Sequence, residues 1–451
     1  MTLGFNGPYT VSAQATHGKV KVGEGEYQVY FIDKDSHLWG LGRLTAIGIN
    51  SQGKVGIPQR VQSTPFDLKF IDVAGGLHGG AAVDENGYVW SMGANEQGQH
   101  GAGDQITTDA PRKITIDSAG NPFNNVRNIV GFFAQNAYNG FFAVKGDGTL
   151  WAWGRLLGGL RGNGTDNIPA DEFALRPVQI KMPGDRKIKQ IIAGYFVIAL
   201  CTDGTVWTWG LTYNSNLGYT MTGNQYQSPH QLTSLSGIIQ IAGGAGFNYA
   251  LGSDHVLYGW GQYGNYMGNS SVGSVPVNVP ARLTNITSNL PAPIAKIVTN
   301  SVCTSAILTD GSLWSWGDGA QGNIGNGQEV DFSNPANGLY AWNFAAAQVL
   351  IRYPYNVAPT IKFADVFGST VYTFYTYALD ENGQLYCWGR NKTSVLANGI
   401  VSPGSAIEAI YAHVWEVKWP QQVDPCALAA SGKTWISTCP LCIVNSSGEA
   451  C

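Results

Sequence analysis

The feature that most constrains the fold of this 451-residue chain is a short block of residues that occurs seven times. Its clearest copies end in GTLWAWG (148–154), GTVWTWG (204–210) and GSLWSWG (311–317). Each block runs from a residue that is alanine in six of the seven copies, through a tight-turn sequence such as TDG or ENG, to an aromatic residue and then a glycine three positions later. A unit that recurs about every 50 to 70 residues is typical of stacked or radial repeat folds.

The register of the block is the same in all seven copies. The terminal glycines are Gly42, Gly93, Gly154, Gly210, Gly261, Gly317 and Gly389. The aromatic residues three positions earlier are Trp39, Trp90, Trp151, Trp207, Tyr258, Trp314 and Tyr386. The residues at the start of the block are Phe31, Ala82, Ala143, Ala199, Ala250, Ala306 and Ala378. The block therefore tolerates no insertion, and the longer segments between copies absorb the variation in length.

Each block is predicted to be a β-hairpin with one apolar face. Asp-Gly and Asn-Gly pairs supply the positive φ angles that tight hairpin turns require. Residues two apart in a strand point to the same face, so Trp151 and Trp153 are expected side by side. We expect these Trp pairs to fill the spaces between neighbouring sheets rather than to bind a ligand.

A proline followed three positions later by an aliphatic residue also recurs seven times and is predicted to start the outer strand of each unit. These segments are PQRV (58–61), PRKI (111–114), PVQI (177–180), PHQL (229–232), PARL (280–283), PYNV (354–357) and PQQV (420–423). Seven sheets of about four strands, each with an aromatic face to bury, predict an all-β, seven-bladed β-propeller. We expect the alanine-bearing strand to lie nearest the axis, and the two ends of the propeller to pair within one blade.

The chain is predicted to comprise an N-terminal arm (1–18), the propeller (19–424) and a short cysteine-rich C-terminal tail (425–451). Four cysteines crowd the tail: Cys426, Cys439, Cys442 and Cys451. They are candidates for disulfides, for free or intermolecular thiols, or for a zinc site, although one Cys-x-x-Cys pair without a nearby histidine is a weak zinc signal. Apart from that zinc, no cofactor is expected. Because so short a segment buries little apolar surface, we expect a staple or a neighbouring subunit to order it.

With these marks aligned, the unit resembles the regulator-of-chromosome-condensation repeat. Residues 75–104 (GGLHGGAAVDENGYVWSMGANEQGQHGAGD) match that pattern almost throughout, and residues 308–327 match nearly as well. The resemblance covers about residues 19 to 424 and implies a seven-bladed propeller. The family also includes a chromatin-bound nucleotide exchange factor, plant photoreceptors and secreted inhibitors, which implies a scaffold for binding.

Composition and motifs favour binding over catalysis. Charged residues make up 12% of the chain, about half the ~25% typical of a soluble domain, and the net charge is −4. No basic run indicates nucleic-acid binding, and no apolar run approaches a membrane span. No motif for a catalytic serine, a zinc protease or a phosphate loop is present. The carboxylates Asp84, Asp203, Asp310 and Glu381 are expected to cap hairpin turns.

The candidate binding residues are aromatic residues of the two longest insertions, 318–353 and 390–419. They are Tyr340, Trp342, Tyr411, Trp415 and Trp419. Loops on a rigid scaffold are common recognition sites, and aromatic residues suit protein or sugar contacts. The alternative is that these residues cover the blade edge beneath them.

The sequence predicts a non-enzymatic binding protein, with a bacteriophage tail or fibre component as the first hypothesis. Its partners would be other virion subunits, a host surface protein or a glycan, and its location the virion or the extracellular surface after cytoplasmic synthesis without a signal peptide. The alternative is an intracellular or secreted regulator that inhibits a protein partner. A hydrolase or lyase is a third and weaker hypothesis.

Overall fold

The structure is a computed structural model, and it describes residues 20–43, 47, 54–61, 68–134, 138–164, 173–211, 215–220, 225–261, 267–268, 277–319, 322–326, 342–349, 361–368, 373–391, 395–396 and 409–416. Within these residues the chain forms seven four-stranded antiparallel sheets, which confirms the predicted all-β propeller. The blades extend from Lys21 to Glu416. The predicted arm and tail lie outside the described residues.

Every blade is built from four consecutive strands. The innermost strands are β1 (Lys21–Glu24), β5 (Phe70–Gly75), β9 (Val126–Ala134), β13 (Ile188–Ala193), β17 (Ile238–Gly243), β21 (Ile294–Thr299) and β25 (Phe363–Phe367). The second strands are β2 (Gln28–Ile32), β6 (Gly79–Asp84), β10 (Tyr138–Lys145), β14 (Phe196–Cys201), β18 (Phe247–Gly252), β22 (Cys303–Leu308) and β26 (Tyr375–Asp380). The alanine-bearing strand is therefore second from the axis, and the prediction that it lies innermost is wrong.

The third and outer strands complete each blade. The third strands are β3 (Leu38–Arg43), β7 (Val89–Gly93), β11 (Leu150–Gly154), β15 (Val206–Leu211), β19 (Leu257–Gly261), β23 (Leu313–Asp318) and β27 (Leu385–Asn391). The outer strands are β4 (Lys54–Arg60), β8 (Thr108–Lys113), β12 (Ala174–Ile180), β16 (Gln225–Gln231), β20 (Val277–Arg282), β24 (Trp342–Gln348) and β28 (Ala409–Glu416). A 3-10 turn (Pro183–Asp185) and the helix α1 (Thr284–Thr287) lie in connections between blades.

The hairpin blocks form as predicted. In blade 2, Asp84 Oδ1 accepts hydrogen bonds from the backbone N–H groups of Asn86 and Tyr88, and Oδ2 accepts one from the Trp90 indole. Asp203 and Asp310 also cap their turns, each accepting from the backbone N–H and the hydroxyl of the residue two positions later, so their predicted role is confirmed. In blade 7 this role belongs to Asp380 rather than to its neighbour Glu381.

The seven terminal glycines recur because their backbone requires it. All have left-handed φ angles, from +95° at Gly93 to +127° at Gly261. A Cβ atom at Gly42 would lie 2.3 Å from the Tyr27 carbonyl oxygen, which is too close for any side chain. Each glycine thus takes a backbone conformation that L-residues rarely adopt, at or near the end of the third strand.

The prolines lie in outer strands but do not start them. Each outer strand carries two extra residues opposite its third strand; in blade 1, Gly40 pairs with Gln59 whereas Gly42 pairs with Val55. Pro58 lies within this bulge, where a residue without an N–H group breaks no ladder bond. The register places Ala346 and Val414 at this position in blades 6 and 7. The assignment of PYNV and PQQV to these outer strands is therefore wrong.

The core lies between blades. Six clusters of buried apolar residues each join neighbouring blades around the ring. Five of the seven blocks carry a second tryptophan, which is fully buried there. Its indole N–H donates to the preceding blade: Trp209 Nε1 lies 3.0 Å from Leu160 O, and Trp388 Nε1 lies 2.8 Å from Asn323 O. The predicted packing role of these tryptophans is confirmed for that position. The first tryptophan instead bonds to its own hairpin turn, as Trp207 does to Thr205.

Candidate binding face of the propeller

The seven innermost strands line a central channel of about 180 Å3. One polar residue per blade occupies the same register position in these apolar strands. This ring of side chains, named the belt here, consists of Lys21, Asp72, Asn128, Gln190, Gln240, Lys296 and Asp365. Five of these residues line the channel: Lys21, Asp72, Asn128, Gln190 and Gln240.

The belt joins blades instead of presenting free groups to a ligand. Gln240 donates to Ile297 O (2.6 Å) and accepts from Ile297 N (3.1 Å), and Gln190 bonds in the same way to Ile241. Asp72 Oδ2 accepts from Ile129 N (2.9 Å) across the next interface, and burial raises the pKa of this carboxyl. Lys296 contacts Asp365 directly. Side chains of the channel wall thus connect neighbouring blades.

The candidate aromatic residues lie at the opposite, outer side of the blades or outside the described residues. The backbones of Trp342, Tyr411 and Trp415 belong to the outer strands β24 and β28. The prediction that these residues lie in loops is therefore wrong. Tyr340 and Trp419 lie outside the described residues, as do Cys426, Cys439, Cys442 and Cys451. The predicted binding, disulfide and zinc roles of these residues remain predictions.

A different cluster stands on the face where each innermost strand turns into the second strand, which we call the loop face. The Tyr27 ring stacks on the His78 ring with centroids 5.2 Å apart and an angle of 14°. The Arg43 guanidinium covers Tyr27, 4.4 Å from the ring centroid. The three residues come from blades 1 and 2, and Arg43 is exposed to solvent.

The same arrangement of arginine over an aromatic ring recurs on this face. Arg390 of blade 7 lies 5.4 Å from the centroid of Phe374, and Arg155 of blade 3 lies 5.8 Å from that of Phe173. Arg43, Arg155 and Arg390 each directly follow a terminal glycine of a block. The set Tyr27, Arg43, His78, Phe374 and Arg390, which spans blades 7, 1 and 2, is named the rim cluster here.

Burial and neighbouring charges determine the protonation states of the rim cluster. Burial and a hydrogen bond from its hydroxyl to Glu26 raise the pKa of Tyr27 to about 12. Burial, aided by the Arg43 charge, lowers the pKa of His78, so its imidazole is neutral at pH 7. Burial also lowers the pKa of the Arg390 guanidinium, against the opposing effect of Glu26. The cluster offers planar stacking surfaces and guanidinium donors, a composition that is enriched at the centres of protein interfaces.

The rim cluster was not predicted from the sequence, since its members come from separate turns. The detectable signal was the arginine that follows three of the terminal glycines.

One group of potential metal ligands occurs among the described residues, on the opposite face of blade 1. Ligand atoms of Asp33, Asp35 and His37 lie within 4.8 Å of one another. However, the Lys69 ammonium lies 2.8 Å from His37 Nε2, and Asp33 already accepts bonds from the backbone and from Trp39. The group is therefore a hydrogen-bonded turn next to a cation, which is unsuited to a metal ion.

The chain is similar to several known proteins. The family model for the Regulator of chromosome condensation (RCC1) repeat matches residues 203–251. The Ultraviolet-B receptor UVR8 of Arabidopsis thaliana is 28% identical over 315 residues, which are 66% of this chain and 64% of the receptor. The human E3 ubiquitin-protein ligase HERC2 is 26% identical over 339 residues, which are 73% of this chain and 7% of the ligase. The chain thus spans less than two thirds of the length of either relative.

Solved structures share the fold at low sequence identity. Prp20p of Saccharomyces cerevisiae superposes with a TM-score of 0.63 at 19% identity, over 92% of this chain and 91% of Prp20p. Human WBSCR16 superposes with a TM-score of 0.61 at 19% identity, over 81% of this chain and 85% of WBSCR16. Across the described residues, no helix has the length and apolar character needed to cross a membrane. The repeat match, the relatives and the seven sheets identify this chain as a regulator-of-chromosome-condensation-like seven-bladed β-propeller.

Proposed function

We propose that this chain is a regulatory binding protein that recognises a protein partner through the rim cluster of its loop face. The observation that carries the proposal is the stack of Arg43, Tyr27 and His78, flanked by Arg390 over Phe374. Tyrosine and arginine are enriched among the few residues that contribute most of the binding energy in protein interfaces. The rigid propeller beneath them keeps these groups in place.

Similar propellers support a binding or regulatory role. Prp20p is described by its binding to Gsp1p and histones, and yeast RCC1 (Prp20) has been solved bound to Kap60. UVR8 is a receptor, and HERC2 is a ligase of which this chain matches 7%. None of these relatives is described as a virion protein, so we place the regulator ahead of the phage tail or fibre component. The predicted virion or extracellular location remains a prediction.

Affinity purification with the full chain tests the proposal. The double variant R43A/R390A removes both guanidinium groups from the rim cluster, whereas the control K187A/K362A removes two exposed lysines from the opposite face. Both variants lose two positive charges. We expect the wild type and the control to retain the partner at equal stoichiometry, and R43A/R390A to lose it. All three proteins should melt within a few degrees of one another. A partner held equally by all three would place the binding surface elsewhere.

A further inference from the structure

The outer strands differ in how their outer edges are protected. The outer edge of a sheet presents unpaired backbone groups that can bind another strand, and natural proteins blunt such edges with proline and charge. In blade 1 the backbone N–H of Val61 points inward to Leu38 O. Alternate N–H groups of a strand point to opposite edges, so the position of Pro58, three residues earlier, points outward. A proline there removes one outward donor.

Five of the seven outer strands carry proline at this position: Pro58, Pro111, Pro177, Pro229 and Pro280. Ala346 and Val414 take its place in β24 and β28 and keep the outward N–H. These two strands, WNFAAAQ and AIYAHVWE, contain a single charged residue, Glu416. β28 is also the longest outer strand, with eight residues. Neighbouring blades 6 and 7 therefore have edges that are suited to pairing.

The chain continues from β28 for 35 residues beyond Glu416, and these lie outside the described residues. They contain a segment of strand-forming composition, KTWIST (433–438), between Ser-Gly and Cys-Pro. Sixteen residues (417–432) separate it from β28, which is ample for a return along an edge about 27 Å long at 3.4 Å per residue. The edge of blade 7 thus has a strand former of its own chain within reach.

We propose that residues 433–438 pair with the outer edge of β28 as a fifth strand of blade 7. The C-terminal tail would then protect an edge that lacks the proline of the first five blades, and it would dock on its own propeller. This proposal is independent of the function proposed for the rim cluster.

Limited trypsin digestion of the full chain under native conditions tests the pairing. The readout is cleavage after Lys433, seen as loss of residues 434–451 by mass spectrometry. The variant V414P gives β28 the proline of the first five blades and should speed this cleavage about ten-fold or more, because a paired strand must open locally before it is cut. The matched control A346P makes the same change in blade 6 and should leave the rate as in wild type.

Other outcomes would overturn the proposal. Equal cleavage in wild type and V414P would show that the tail is not on this edge, and faster cleavage in A346P would assign it to blade 6. A wild-type dimer in sedimentation that V414P dissociates, with cleavage unchanged, would make a second copy the occupant. If V414P fails to fold, I436P alters only the tail and should increase hydrogen exchange of the 409–416 amides at least several-fold; unchanged exchange would contradict the pairing.

Discussion

At the residue scale, the blades are held together by side chains that take the place of backbone. A propeller has no backbone ladder between its sheets, and belt side chains form hydrogen bonds or ion pairs across five of the interfaces between described blades. Gln240 illustrates this, because its amide bonds to both the N–H and the carbonyl of Ile297 in the next blade. Such a side chain extends hydrogen bonding across an interface that packing alone would have to hold.

Replacing Gln240 with leucine should therefore destabilise the fold. The Q240L variant leaves two buried backbone groups without partners, at a cost of about 2 to 4 kcal/mol in the free energy of unfolding. Gln59 lies exposed on an outer strand, and Q59L as the matched control should cost less than about 0.5 kcal/mol. Urea denaturation measures both values. Equal, small losses would show that the belt contributes nothing to stability.

The buried His100 predicts a specific pH dependence. Its Nε2–H donates to Gly93 O (2.9 Å), and burial lowers the pKa of His100 from 6.5 to about 4. The folded state thus favours the neutral imidazole. The stability that this preference contributes is complete above pH 6.5 and is lost as the pH falls toward 4. H100Q keeps a donor and does not titrate, so its urea midpoint should fall less than that of wild type between pH 7 and 4.5; parallel curves would contradict this.

At the element scale, the hairpin is the part of the fold that sequence predicts best. Its turn, its glycine and its alternation are local, and all seven copies were placed correctly. Proline did not identify the outer strands of blades 6 and 7, because these strands follow insertions of variable length. Ala346 and Val414 take the place of proline there, and neither residue type is specific to an outer strand. The belt was missed since one polar residue in an apolar strand has many explanations. The rim cluster was missed because Tyr27 and His78, which are in contact, lie 51 residues apart in the sequence.

The two tryptophans of one strand should differ in their contribution to stability. In β15, the Trp209 indole donates to Leu160 O of the preceding blade, and the Trp207 indole donates to the Thr205 hydroxyl of its own turn. Both donor–acceptor distances are 3.0 Å. W209F leaves a buried carbonyl without its donor and should cost about 1 to 3 kcal/mol. W207F affects a hydroxyl that is near solvent and should cost less than half as much. Thermal unfolding compares the two, and equal losses would contradict the inter-blade role of Trp209.

At the scale of the whole molecule, the ring closes differently from the prediction. In the described residues no sheet mixes strands from the two ends of the chain, so the expected shared blade is wrong. Blades 7 and 1 meet through side chains instead: Phe31 packs edge-on against Tyr377 at 5.4 Å, and the Tyr375 hydroxyl donates to Gly25 O. Buried residues of both blades form one apolar cluster at this seam. The rim cluster lies directly over the same junction.

Hydrogen exchange at this junction is the most direct test of a ring that is closed by side-chain contacts, without a shared sheet. We expect amides of β1 and β25, which flank the junction, to exchange within about ten-fold of those of β13 and β17, because a closed ring protects all innermost strands alike. If β1 and β25 exchanged about a hundred-fold faster or more, with β13 and β17 still protected, the ring would open between blades 7 and 1, which would contradict closure at this junction.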